Sequence, residues 1–205
     1  MHNTKSEFVR VAGCHPAQKL TKSIGLVLLL ALVGIATAAT PARLAAAQAA
    51  TDDDNRVPDL PSPICDSIQA PLGNKVAFHV FALGVQVYRW NGTAWTFVEP
   101  VASLFADPGY QGKVGIHYAG PTWQTNSGSK VVGARLAACS PDPAAIPWLL
   151  LQAVSNDGPG VLSSVTYIQR VNTTGGLAPT APGESIGATA QVPYTAEYFF
   201  YRADD

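Results

Sequence analysis

The chain has 205 residues, 47% hydrophobic, 13% charged and 9% aromatic, which fits one globular domain with terminal extensions and excludes a disordered polyelectrolyte. Charged residues fall well below the roughly 25% usual in soluble domains, and 18 Gly with 16 Pro favour turns over long helices. Thirteen Lys and Arg against 14 Asp and Glu leave no positive excess to neutralise a phosphate backbone, so no nucleic-acid partner is expected.

In chain order the first expected element is an export leader. Lys19 and Lys22 precede an unbroken apolar run from Ile24 to Ile35, and Ala36-Thr37-Ala38-Ala39 follows with small residues. Those are the three parts of a secretory signal peptide, placed at residues 1–47 with cleavage after Ala38 or after Ala47. An uncleaved anchor is the alternative and would be the only contact with a membrane. The apolar run is shorter than the roughly 20 residues that cross a bilayer as a helix. From Gln48 onward eight Lys and Arg face thirteen Asp and Glu, a formal net charge of −5. Residues 48–63, with Asp52-Asp53-Asp54 and several prolines, read as a linker or strap, and residues 64–203 as a single β domain.

Cys14 leaves with the leader, and the remaining Cys65 and Cys139 are expected to pair once the chain reaches an oxidising compartment. Two free thiols are the alternative. No metal site is expected, because only His79 and His117 accompany these cysteines and neither has ligand spacing from them.

The body reads as strands and turns. Lys75–Leu83 is a buried strand that Gly84 ends, and Val85–Trp90, Asn91-Gly92 and Thr93–Val98 form a hairpin with a two-residue turn. In that register Tyr88 faces Trp95, Gln86 faces Phe97 and Trp90 faces Thr93, with Val85, Val87 and Val98 on the other side. Lys113–Ala119 is a strand stopped by Gly120-Pro121. A hairpin at Asn126-Ser127-Gly128 leads into Lys130–Ala138. Trp148–Val154 and Val161–Asn172 are strands, residues 175–187 are a loop, and Ala188–Val192 and Thr195–Arg202 are two strands separated by Pro193. The expected fold is therefore all-β, a single antiparallel sandwich or barrel of about eight or nine strands with one disulfide.

Several strings carry a resemblance: Gly84-Val85-Gln86-Val87-Tyr88, Trp95, His117-Tyr118-Ala119-Gly120-Pro121-Thr122-Trp123, Ile146-Pro147-Trp148-Leu149-Leu150-Leu151, Val165-Thr166-Tyr167-Ile168-Gln169-Arg170, Gly175-Gly176 and Val192-Pro193-Tyr194-Thr195-Ala196. In this order the chain resembles, from about Val57 to Arg202, a secreted bacterial and fungal family known as domain of unknown function 3455. The resemblance implies an exported, mainly β domain and supplies no activity, substrate or catalytic residue. Some members carry a malate dehydrogenase label, but this chain has no Gly-x-Gly-x-x-Gly loop between strand and helix, so no dinucleotide cofactor, or any other, is expected. Many members have a cysteine shortly after the Gly-Val-Gln-x-Tyr string and another in the loop after Gly-Gly. Here Trp90 and the Ala181-Pro182-Gly183 segment stand in those places, as loss of a disulfide would leave them.

His117 is the candidate catalytic residue, beside Tyr118 and just before a Gly-Pro turn. As general acid or base it needs a carboxylate, from Asp107, Asp157 or Glu197; otherwise it hydrogen-bonds a backbone group and locks the turn. Ser129 could complete a triad on composition alone, without the Gly-x-Ser-x-Gly elbow. Glu99, Glu184 and Glu197 sit in no recognisable glycosidase pattern. Gln169 and Arg170 point to opposite faces of their strand, and an inward Arg must be paired. Trp90, Trp95, Trp123, Tyr88 and Tyr118 suit stacking on sugars or on a protein partner, or else the core. Asn91-Gly92-Thr93 and Asn172-Thr173-Thr174 match the glycan-acceptor pattern.

The expectation is a secreted binding or surface-interaction module for carbohydrate or cell-envelope material, with Tyr118, Trp123, Gln169 and Arg170 as ligand contacts. The alternatives are an extracellular hydrolase using His117 with a carboxylate, and a structural envelope protein.

Overall fold

A computed structural model describes residues 57–204. The export leader, Cys14 and the Asp52-Asp53-Asp54 run lie outside the described residues, as does most of the expected linker.

Eight strands follow in chain order: β1 (Asn74–Trp90), β2 (Trp95–Phe105), β3 (Lys113–Tyr118), β4 (Thr122–Thr125), β5 (Lys130–Cys139), β6 (Trp148–Asp157), β7 (Val165–Gly175) and β8 (Thr189–Ala203). Each pairs antiparallel with its neighbours in the chain, and β8 returns to pair with β1 from Asn74↔Ala203 to Arg89↔Thr189, so the order closes as a barrel. All strands belong to one antiparallel sheet, and the short β3 and β4 cover only Ala102–Phe105 of β2 and Lys130–Val132 of β5, so the rest of those two strands faces the mouth without a strand partner on that side.

Alternation sorts the side chains. Val80 and Ala82 of β1, Ala102 and Leu104 of β2, Trp123, Val131, Leu151 and Ile168 turn inward, and with Tyr194, Ala196, Tyr198 and Phe200 of β8 they form the main core. A second apolar cluster lies on the outer face of β5–β8, where Leu150, Val171, Phe199 and Tyr201 are covered by Ile68, Leu60 and Cys65 of the N-terminal segment. The disulfide Cys65–Cys139 pins that segment to β5, and a single 3₁₀ turn at Asp66–Ile68 carries it over the cluster.

Two expected breaks and one expected hairpin register are overturned. Gly84 does not end a strand; it sits inside β1 opposite Ala102, where a Cβ would lie 2.2 Å from the Val101 carbonyl oxygen. The glycine is required for close approach of β2 rather than for a turn. The first hairpin has Trp90 facing Trp95 and Tyr88 facing Phe97, because the Asn91 side chain accepts from the Thr93 and Ala94 amides and spreads the turn over four residues. Pro193 is continuous within β8. Its carbonyl accepts from the Gly176 amide beyond the end of β7, so the absent N–H also faces that edge and the ladder with β1 proceeds.

Trp90 and the 181–183 segment meet in space: a Cβ on Gly183 would fall 2.6 Å from Trp90 Cβ, and Trp95 Nε1 donates to the Ala181 carbonyl at 2.8 Å. Two tryptophans therefore hold the long loop before β8.

Candidate functional site

Up-and-down topology gathers alternate turns at one mouth of the barrel: 91–94, 119–121, 140–147 and 176–188. All but one of the strings that carry the family resemblance reach this end. Backbone and side-chain bonds lock the mouth. The Ile146 amide donates to Gly175 O at 2.9 Å, Thr173 Oγ1 donates to Ile146 O at 2.5 Å, and Tyr88 OH donates to Gly176 O at 2.6 Å. Pro147 is thereby fixed above the end of β7.

Inside the mouth is a cavity of about 710 Å³, lined among others by Gln86, Tyr88, His117, Trp123, Arg170 and Tyr198. His117 and Trp123 face each other across the β3–β4 pair and stack with centroids 4.3 Å apart and planes at 9°. His117 Nδ1 donates to the Thr122 carbonyl at 2.8 Å, which fixes the neutral tautomer with its lone pair on Nε2. Burial holds this imidazole down to about 3, opposed by the Thr122 bond and reinforced by the Arg170 charge. It is neither a proton donor nor an effective base near neutral pH. The turn-locking alternative describes its contacts.

Arg170 does point inward, but its partner is a carbonyl. Nε and Nη2 donate to Pro147 O at 3.1 and 2.8 Å, and among the described residues no carboxylate forms an ion pair with it. Its charge reaches Tyr88 and Tyr198, whose hydroxyl pKa values burial raises and the guanidinium lowers. Four buried polar atoms lack a well-formed hydrogen bond: Gln86 Nε2, Trp123 Nε1, and the hydroxyls of Tyr194 and Tyr198, although the two hydroxyls lie near each other, with Gln86 beside Tyr194 and Arg170 beside Tyr198.

The other candidates lie elsewhere. Gln169 projects to the outer face, donating to Ile68 O at 2.6 Å and accepting from Tyr201 OH; it anchors the N-terminal segment. Tyr118, also outward, donates to Gln124 Oε1 at 3.0 Å. Trp90 and Trp95 pack on each other at 5.5 Å in the first hairpin. The carboxylates considered for His117 are all engaged away from it. Asp107 Oδ1 accepts from Gly109 N at 2.8 Å, Asp157 pairs with Lys130 at 2.9 Å, and Glu197 pairs with His79 at 2.8 Å on the outer face. Ser129 Oγ accepts from the Leu162 amide at the opposite end of the barrel. No Asp or Glu lines the cavity, and among the described residues no group of three His, Cys, Asp or Glu could hold a metal ion.

Sequence reasoning missed Gln86 and Tyr198 as residues of the cavity lining. The signal was available in alternation: β8 places Tyr194, Ala196, Tyr198 and Phe200 on one face, a stripe hidden when Pro193 is read as a break.

The model of a family described as a protein of unknown function (DUF3455) matches residues 71–202, and the chain belongs to that family. No curated protein and no solved structure matches it.

Proposed function

We propose that the protein is an exported binding module that holds one small organic molecule in the barrel mouth. The observation that carries this reading is the cavity whose lining keeps buried, poorly bonded polar atoms on Gln86, Trp123 and Tyr198. Buried polar groups are normally bonded, so poorly bonded polar groups on residues that line one concavity support its reading as a place for a ligand. Eight-stranded barrels are wide enough to enclose one small ligand, and a cavity of about 710 Å³ lies within the usual range for drug-sized molecules. The disulfide supports folding in an oxidising compartment.

A surface sugar platform has less support, since one face of Trp123 is covered by His117 and Trp123 itself is 1% exposed. Hydrolysis has less again, because the mouth holds no carboxylate and a histidine that stays neutral.

The test uses N-phenyl-1-naphthylamine, a neutral dye whose emission rises in apolar sites. Saturable one-site binding should disappear in Ala134→Trp, which fills the mouth from an exposed position on its rim, with the melting temperature unchanged. Dye binding that fails to saturate, or that survives the substitution, overturns the reading.

A further inference from the structure

The polarity of the cavity runs the wrong way for a simple apolar guest. Its lining carries the polar side chains of half-buried Arg170 and of buried Gln86, Tyr198 and Trp123, while Phe97, Val98 and Ala134 are exposed apolar residues of the same lining. Phe97 is 54% and Val98 42% exposed, so apolar surface meets water while poorly bonded donors are buried. The lining also contains Arg135 and Arg170 without any Asp or Glu, although acidic residues outnumber basic ones in the chain as a whole.

We propose that the ligand is an amphipathic monocarboxylate that enters head first, its carboxylate seated on Arg170, Tyr198 and Gln86 and its apolar body leaving past Phe97 and Val98. This rests on the reading of the mouth as a small-molecule site and names the class of molecule it takes.

The guanidinium is anchored by Nε and Nη2 on the Pro147 carbonyl and its charge reaches the Tyr198 hydroxyl beside it. A neutral acceptor leaves the Arg charge uncompensated, so a singly charged anion completes the site, and a planar carboxylate matches the fork geometry of a guanidinium. Gln86 Nε2 and the Tyr198 hydroxyl, both buried and without a well-formed hydrogen bond, are donors suited to carboxylate lone pairs. An alcohol of equal length would leave the Arg unpaired.

The experiment compares dodecanoate, dodecanol and dodecylamine, each below its micellar concentration, by calorimetric titration of the full mature protein at pH 7.5. Dodecanoate is expected to bind one to one and at least about tenfold more tightly than either neutral or cationic analogue, the size of a charge-assisted bond. Arg170→Gln should remove that preference while dodecanol affinity stays unchanged. Should Arg170→Gln fail to fold, Tyr198→Phe tests the neighbouring donor, because it keeps the ring and deletes only the hydroxyl; it should weaken dodecanoate several-fold, and more than it weakens dodecanol. Equal affinity for dodecanoate and dodecanol, or a preference that survives both substitutions, overturns the carboxylate assignment and leaves the small-molecule site standing. Absence of binding by all three probes, together with absence of dye binding, overturns both.

Discussion

His117 and Trp123 lie directly opposite each other on β3 and β4 and stack face to face at 4.3 Å, the imidazole 2% exposed. Trp123 in turn meets Tyr198 and Phe200 edge-on, at 5.2 and 6.0 Å. The histidine therefore behaves as a flat polar plug that completes the aromatic floor while its Nδ1–H satisfies the Thr122 carbonyl.

A pH dependence follows. The folded imidazole is held near 3 against an ordinary value of 6.5, so the unfolded chain takes up the proton first as pH falls. Stability contributed by the neutral ring is complete above pH 6.5 and is lost progressively down to about pH 3, amounting to about 3 kcal/mol by pH 4. Urea unfolding of wild type and His117→Asn, which keeps a donor for Thr122, should show the wild-type advantage at pH 7 shrinking by pH 4. A gap that stays constant over that range would mean the ring is already charged or open to water.

The strap over β5–β8 supplies a second expectation. Cys65 and Cys139 close a loop with a sequence separation of 74, and in the chain-entropy model such a link stabilises by roughly 4 kcal/mol. Replacing both by Ala should lower unfolding free energy by about that amount. Tyr201 and Gln169 should become more accessible as Ile68 lifts away. Hydrogen exchange at β7 and β8 that is unchanged in the double variant would show that packing, not the link, holds the segment.

How much of this was legible in the sequence differs by residue. Strand periodicity located β3, β5 and β6 nearly to their ends, since Val, Ile and Leu runs bounded by Gly, Pro and Asn depend on local chemistry. Gly84 and Pro193 misled for one reason. Each is a breaker by propensity, and its fitness for a strand depends on the neighbouring strand, which local sequence does not contain. Arg170 was legible as an inward charge needing a partner. That its partner is the Pro147 carbonyl depends on how Ile146 is clamped to Gly175 and Thr173, a contact between segments distant in sequence. The same long-range placement sent Gln169 and Tyr118 to the outer face, whereas His117, Trp123 and Arg170 were brought to one cavity.

Gly84 provides a steric test of barrel closure. A methyl group there meets Val101 O at 2.2 Å, Ala102 Cα at 2.5 Å and Ala102 Cβ at 2.6 Å, and backbone cannot rotate out of the way as a side chain can. Gly84→Ala should destabilise the fold by about 2–3 kcal/mol through separation of β1 from β2. Thermal unfolding measures it, and a variant as stable as wild type would contradict the close approach.

Tyr194 separates what the mouth needs for folding from what it needs for a ligand. Its ring is buried in the main core and its hydroxyl makes no well-formed hydrogen bond, and burial, reinforced by the nearby Tyr198 hydroxyl, pushes that hydroxyl pKa far above its ordinary range. A buried hydroxyl that makes no well-formed bond carries a desolvation penalty without a compensating gain. Tyr194→Phe keeps the ring packing and removes the penalty, so the ligand-free protein should gain up to about 1 kcal/mol of stability. Sites shaped for binding commonly hold such unfavourable groups. A melting temperature several degrees lower in the variant would mean that the hydroxyl is bonded in the folded protein and that the floor is less unsatisfied than its geometry indicates.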